Sequence, residues 1–210
     1  MAFDYKKEYP EFYLPKAKPA LVQIPEMRYI AVRGEGDPNA PDGAYKAAIG
    51  LLYGVAYTIK MSPRASHAIE GYFDYVVPPL EGFWWQAGTD EMDLGRKADF
   101  HWISVIRLPD FVRPEDFEWA RGEAQRKKGG DYAAVEYLRI EEGLCAQMLH
   151  VGAFDAEGES IARLNAFIAE QGCAPDFSPE RRHHEIYLSD ARRIPPERMK
   201  TVIRLPVRRM

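Results

Sequence analysis

The sequence predicts an α+β fold in which a strand-helix-strand-strand module occurs twice. The two copies pair into one pseudo-twofold body, an antiparallel sheet with helices on one face. Two observations predict it. The pentapeptide VIRLP at Val105–Pro109 recurs at Val202–Pro206, each time closing a hydrophobic stretch. A five-residue match decides little by itself, but the elements ahead of each copy run in the same order. Gly34-x-x-Asp37 and Gly152-x-x-Asp155 hold equivalent places, a glycine-containing turn leading toward each helix.

The first copy starts with a strand at Arg28–Val32 that ends at Gly34. Tyr45, Ala48, Ile49, Leu52, Tyr53, Ala56 and Ile59 then recur at three-and-four spacing, which places them on one face of a helix. Strand segments follow around Tyr72–Val77 and Phe83–Trp85, and another at His101–Leu108. Pro114 suits a first helical position, so a helix runs from there to about Lys128. The run Arg126-Lys127-Lys128-Gly129-Gly130 reads as a solvated linker rather than a nucleic-acid patch. The second copy has a strand at Leu144–Val151 ending at Gly152 and a helix carrying Ile161, Leu164, Asn165 and Ile168, with Gly172 as its stop. Strands at His183–Leu188 and Thr201–Leu205 complete it. The expected organisation is one domain over 1–210: an N-terminal arm (1–20), a first repeat (21–112), a helical linker (113–134) and a second repeat (135–210).

Composition narrows the function classes. With 210 residues, 46% of them hydrophobic, and a net charge of -4, the chain has an ordinary globular make-up and no electrostatic footprint for DNA or RNA. No apolar run approaches the ~20 residues a membrane span needs. The opening MAFDYKKEYPEFYLPK lacks the apolar stretch of a secretory signal. Cys145 and Cys173 form neither a disulfide framework nor a metal spacing. A reducing cytoplasm is the expected location.

Strand alternation sorts the candidate chemistry, because neighbours in a strand point to opposite faces. Ile186 and Leu188 make an apolar face suited to packing under a helix, and Glu185 and Tyr187 project from the other. Two readings of Glu185 stay open: an exposed strand face, where a carboxylate costs little, or a buried site, where it needs a cationic or hydrogen-bonding partner. In Pro78-Pro79-Leu80-Glu81-Gly82-Phe83-Trp84-Trp85, two tryptophans beside an acid suggest an aromatic wall with a carboxylate, or simply core. Strict alternation groups Glu81 with Phe83 and Trp85 and sets Trp84 opposite; a bulge at Gly82 would reverse this. Tyr53, Tyr57, Tyr72, Tyr75, Trp102 and Trp119 add further rings. Twelve tyrosines exceed what a core requires, which favours a ring-lined pocket with a few carboxylates. His183 and His184 are adjacent, point apart in a strand and cannot chelate one ion, so no metal site is expected. His150 reads as structural. Gly34-Glu35-Gly36 lacks the rest of a dinucleotide fingerprint, no phosphate loop exists, and no cofactor is expected.

Longer stretches carry a resemblance: YLPK, EGYFDYVVPPLEGFWW, YTIKMSP, IRLPDFV, EEGLCAQMLHVGAFD, HHEIYLSDARR and MKTVIRLPV. Over nearly the whole chain they resemble the stand-alone GyrI-like proteins, relatives of the DNA gyrase inhibitory protein and of the effector domains of multidrug-sensing regulators. The resemblance implies the duplicated module and a ligand groove between its halves. It also implies small hydrophobic or cationic organic partners and an acid on the strand that carries Glu185. Some stand-alone members are similar to cyclopropanoid cyclopropyl hydrolases, which open the strained ring of DNA-alkylating natural products. On that basis the expected catalytic set is Glu185 as general base, Tyr187 as donor and Glu81 as second acid or positioning group. The expected ligand-binding rings are Trp84, Trp85, Tyr75, Tyr53, Trp102 and Trp119. The alternative is a binding-only protein that sequesters drugs or contacts gyrase, the gyrase contact being the less favoured. The regulators carry a DNA-reading domain ahead of this one, and roughly twenty residues before the first strand are too few for it, so a transcription factor is not expected.

Overall fold

Two sixteen-residue strands, β1 (Ala20–Glu35) and β4 (Glu136–Val151), set the architecture. The computed structural model describes all residues except 1, 66, 90, 91 and 191. Single-turn helices α1 (Tyr5–Glu8) and α2 (Pro10–Tyr13) precede β1. Between the long strands lie α3 (Ala44–Lys60), β2 (Leu80–Gln86), β3 (Phe100–Arg107) and α4 (Pro114–Lys128). After β4 come α5 (Glu157–Glu170), β5 (Cys173–Pro175), β6 (His183–Tyr187) and β7 (Lys200–Arg209).

The strands are antiparallel in the order β4-β1-β3-β2-β6-β7, with β5 added beside β7, and β4 also pairs with β7. That last pairing, from Cys145↔Pro206 to Val151↔Lys200, closes six strands into a barrel. The expected antiparallel sheet does carry its long helices α3 and α5 on one face, but it also closes, so that its other face becomes the barrel interior. The physical cause is strand length, since long strands coil and meet different neighbours at their two ends. β4 bends at Gly143 (φ 65), a conformation that favours glycine, and Arg181 fills the space beside it, its Nε donating to Glu142 O at 2.9 Å.

Connectivity repeats. The series β1-α3-β2-β3 and β4-α5-β6-β7 correspond element by element, and equivalent strands pair at both seams, β1 with β4 and β2 with β6. Side-chain alternation then makes three apolar layers. Ile30, Val32, Trp102 and Ile106 turn outward beneath Leu52, Val55 and Ile59 of α3. Ala146, Met148, Ile203 and Leu205 do the same beneath Leu164 and Ile168 of α5. Tyr29, Ala31, Phe83, Ile103 and Val105 fill the barrel. Each VIRLP copy sends its arginine inward, Arg107 and Arg204, both buried.

Two further expectations need correction. Tyr72–Val77 is not a strand: one bridge, Phe3↔Tyr75, is all it forms. Pro78 and Pro79 lack the donors that would extend a ladder, and the N-terminal arm occupies the segment instead, Val76 N donating to Phe3 O at 2.7 Å. Ile186 packs under none of the long helices; it faces inward and joins Tyr5 of α1, Tyr13 of α2 and Tyr75, through which the arm covers one end of the barrel. The helix at Pro114–Lys128 has the bounds its sequence predicts, with Asp116 accepting from Arg113 N at 3.0 Å.

Candidate active site

β2 and β6 meet with Gly82 opposite Glu185 and Trp84 opposite His183. On the outer surface of this seam a cavity of about 1010 Å³ opens between α3 and the N-terminus of α5, so both halves line it. That is at the upper end of the ~300–1,000 Å³ typical of small-molecule pockets.

Its polar floor comes from β6 and α5. Glu185, 8% exposed, accepts from Tyr187 Oη at 2.8 Å on one oxygen and lies 3.1 Å from His183 Nε2 on the other. Tyr187 in turn accepts from Trp84 Nε1 at 2.9 Å. A Cβ at Gly82 would stand 2.6 Å from Trp84 Nε1 and 3.0 Å from Tyr187 Oη, so only glycine leaves this chain of bonds room. Glu157, the first residue of α5, is buried, and its carboxyl is hydrogen-bonded to Glu185 and Thr201.

The two acids differ in charge. Burial opposes ionisation of Glu185, but the hydrogen bond and charge of His183 and the Tyr187 hydroxyl outweigh it and hold the carboxyl below its usual range. Glu157 is pushed well above that range, first by burial and then by the negative charge of Glu185. The two directions together favour a neutral Glu157 beside a charged Glu185. Burial also keeps the phenols neutral: Tyr45 rises to about 12, and Tyr187 is raised well above the usual phenol range.

The walls are aromatic. Trp84 lies 5.2 Å from Tyr45 between ring centroids, Tyr187 meets Phe154 edge-on at 5.5 Å, and Tyr53 lies 6.1 Å from Tyr57 along α3. At the rim Lys97 pairs with Asp155 at 2.5 Å and Arg192 with Asp190 at 2.9 Å.

Of the sequence-predicted residues, Glu185, Tyr187, Trp84 and Tyr53 line this cavity. The others are elsewhere. Glu81 faces the barrel interior, 2.9 Å from His184 Nε2 and accepting from Tyr13 Oη at 3.4 Å, because β2 alternates without a bulge at Gly82. It cannot act beside Glu185 through the sheet. Trp85 follows the same alternation, stacked on His101 with Arg182 over its ring. Tyr75 packs with the N-terminal arm, Trp102 is core beneath α3, and Trp119 on α4 stacks on His67. Tyr187 differs in role from the expected donor, since its proton is directed at Glu185.

Sequence reasoning missed Glu157, His183 and Tyr45. The two histidines do point apart, but His183 gathers with Glu157 and Glu185, each offering a ligand atom within 4.8 Å of the others. Such a set has the ligand types of a divalent-cation site. Here, however, both Glu185 oxygens already have partners, and the positive end of the α5 dipole opposes a cation beside Glu157. The alternation signal that singled out Glu185 and Tyr187 also marks His183, two residues earlier. Glu157 had no such signal, because only the tertiary packing of α5 brings it in. His150 is structural, bonded to Ser160 Oγ at 2.9 Å.

A closed barrel with an aromatic-walled, acid-floored groove on its outer surface defines a small-molecule-binding protein. The chain belongs to the GyrI-like small molecule binding domain family, matched over residues 17–208. It is similar to an uncharacterized conserved protein of Listeria innocua (46% identity, TM-score 0.91, covering 98% of this chain and 100% of that one). It is also similar to a hydrolase of Listeria innocua (45% identity, TM-score 0.89, 98% and 100% covered). The EcmrR C-terminal domain shares the fold alone (15% identity, TM-score 0.54, 92% and 98% covered). No curated protein sequence matches this one. Among the described residues no helix is long and apolar enough to cross a membrane.

Proposed function

We propose that this protein binds flat, largely apolar organic molecules in the groove over the β2–β6 seam and hydrolyses those carrying an activated cyclopropane. The observation that carries the reading is Glu185 at the floor of a ring-walled cavity, with the Tyr187 hydroxyl on one oxygen and His183 Nε2 3.1 Å from the other. The 45% identical hydrolase supports a hydrolytic reaction. Buried free thiols at Cys145 and Cys173 fit a reducing cytoplasm.

The chemistry follows from the groups present. Trp84 and the α3 tyrosines hold a planar substrate against the floor, so the strained carbon approaches a water on Glu185. The water oxygen forms a bond to that carbon and its proton passes to Glu185. The ring C–C bond breaks, and its electron pair moves into the conjugated ring as a phenolate, which takes a proton from solvent while Glu185 releases the proton it received, so that the net reaction is addition of one water. Tyr187 and His183 are positioning residues that fix the carboxylate and keep it charged.

Incubation of the full chain with a cyclopropane-bearing alkylator, followed by mass measurement, tests this. The expected product is heavier by one water, and Glu185→Gln abolishes it. Tight binding with no mass gain would leave a drug-sequestering protein, and salt-sensitive association with gyrase without ligand binding would leave an interaction protein.

A further inference from the structure

α3 carries glycine at positions 50 and 54 of its interior, and the two differ in cause. A Cβ at Gly54 would stand 2.3 Å from the Tyr132 hydroxyl, so that position must stay bare for the helix to pack. Gly50 is exposed, and a Cβ there would meet nothing within 4 Å. Its φ is not positive, so the backbone does not demand glycine either. Glycine is a poor helix former, and alanine would hold this turn better. What distinguishes Gly50 is its place. It lines the groove beside Tyr45, Ile49, Tyr53 and Tyr57, which recur every fourth residue along the α3 wall. At 1.5 Å per residue this stripe runs about 18 Å, and Gly50 stands about 7.5 Å along it from Tyr45. Trp84 and Glu185 lie at the Tyr45 end. Further along, the charges of Asp190 and Arg192 act on the Tyr53 hydroxyl, so the opposite wall comes near α3 there.

We infer that Gly50 is a specificity-determining residue: the bare backbone of α3 there receives the second flat unit of an extended substrate whose reactive unit lies at Trp84. The inference rests on the reading of the groove given above and adds the shape of molecule it selects. One fused ring system seated between Trp84 and Tyr45 leaves most of the α3 stripe uncovered. A second planar unit joined to the first runs along Ile49, Tyr53 and Tyr57, and no side chain at position 50 holds it off the helix. The two tyrosine rings offer it stacking faces. Binding energy gathered there, remote from the chemistry, holds the strained carbon at Glu185. A side chain at position 50 takes the place of the second unit and leaves that of the first untouched.

The test uses the full-length protein and two alkylators that share one cyclopropane-bearing ring system. One is capped by an acetyl group and the other is extended by an indole-2-carboxamide. Turnover is corrected for uncatalysed hydrolysis, and binding is followed by tryptophan fluorescence. Gly50→Leu is compared with Gly122→Leu on α4, an equally open helical glycine outside the groove. Leucine favours a helix over glycine, so both variants should melt at or above the temperature of the unmodified protein. The unmodified protein should prefer the extended alkylator in kcat/KM. Gly50→Leu should lower that value at least about tenfold for the extended alkylator, mainly through KM, and less than about twofold for the capped one. Gly122→Leu should change neither. Turnover without a preference for the extended alkylator overturns this inference alone, as do equal effects of Gly50→Leu on both alkylators or none on either. Binding of the extended alkylator that weakens only in Gly50→Leu, with no turnover in the unmodified protein, upholds the inference and overturns the hydrolytic reading. Neither binding nor turnover in the unmodified protein overturns both.

Discussion

Tyr187 and Glu185, two residues apart on β6, share a 2.8 Å hydrogen bond on the outer face of the barrel, and Trp84 on β2 donates to the same Tyr187 oxygen at 2.9 Å. The relay ties the acid of the second half to the aromatic wall of the first. Groups this well connected resist reorientation when a ligand arrives, which is what electrostatic preorganisation requires.

Tyr187→Phe removes one of the hydrogen bonds that favour the charged form of Glu185. The expected outcome is a drop in kcat of about tenfold with a smaller change in KM, on the scale of one lost hydrogen bond to a charge (about 1.5 kcal/mol). Steady-state kinetics check this. The acid limb of the rate profile should also move to higher pH.

Rate against pH carries its own signature. Glu185 must be ionised, and its carboxyl is held below the usual range, so cyclopropane hydrolysis should persist as pH falls past ~4.3 before it declines. Loss of activity already between pH 6 and 5 would contradict this assignment, because it would mark a base whose pKa is raised rather than lowered.

Gly82→Ala places a methyl group 2.6 Å from Trp84 Nε1. Because this glycine is rigidly paired on both sides, the indole must move rather than the backbone. Turnover should fall at least tenfold, and tryptophan fluorescence should shift as Trp84 loses Tyr187. Overpacking costs typically 1–3 kcal/mol, so the protein should still fold.

The barrel interior makes a separate prediction about stability. His184 lies 3.0 Å from Glu142 and 2.9 Å from Glu81, with Arg204 donating to Glu142 at 2.7 Å. Burial opposes the charge on Glu142, but His184 and Arg204 draw its pKa down to about 2. Its stabilising contribution is therefore present above ~4.3 and is lost as pH falls toward 2. Burial likewise opposes the charge on His184, and the carboxyls raise its pKa, so its contribution is present below ~6.5 and is lost as pH rises through the raised value. Arg204→Met, which leaves Glu142 without its guanidinium, should cost about 3–5 kcal/mol at neutral pH in urea denaturation.

The duplicated connectivity, helices α3, α4 and α5, and the side-chain directions on β6 were legible, because period-two and period-3.6 patterns report faces directly; on β2 a bulge at Gly82 stayed open, and only the unbroken pairing with β3 excludes it. What those faces meet was not. Glu81 and Ile186 belong to a closed interior only because β4 pairs with β7, a contact between residues far apart that no local pattern encodes. For the same reason Glu81 lay beyond sequence reasoning as a structural acid, and Glu157 as a groove acid. Both outcomes turn on tertiary closure, one of the sheet and one of α5 onto it.

The most direct measurement is a crystal structure of Glu185→Gln with an intact cyclopropane-bearing ligand. The account predicts the planar ring system against Trp84 and Tyr45, with the strained carbon about 3–3.5 Å from a water held at position 185. A ligand bound elsewhere, or one whose strained carbon points away from β6, would contradict it.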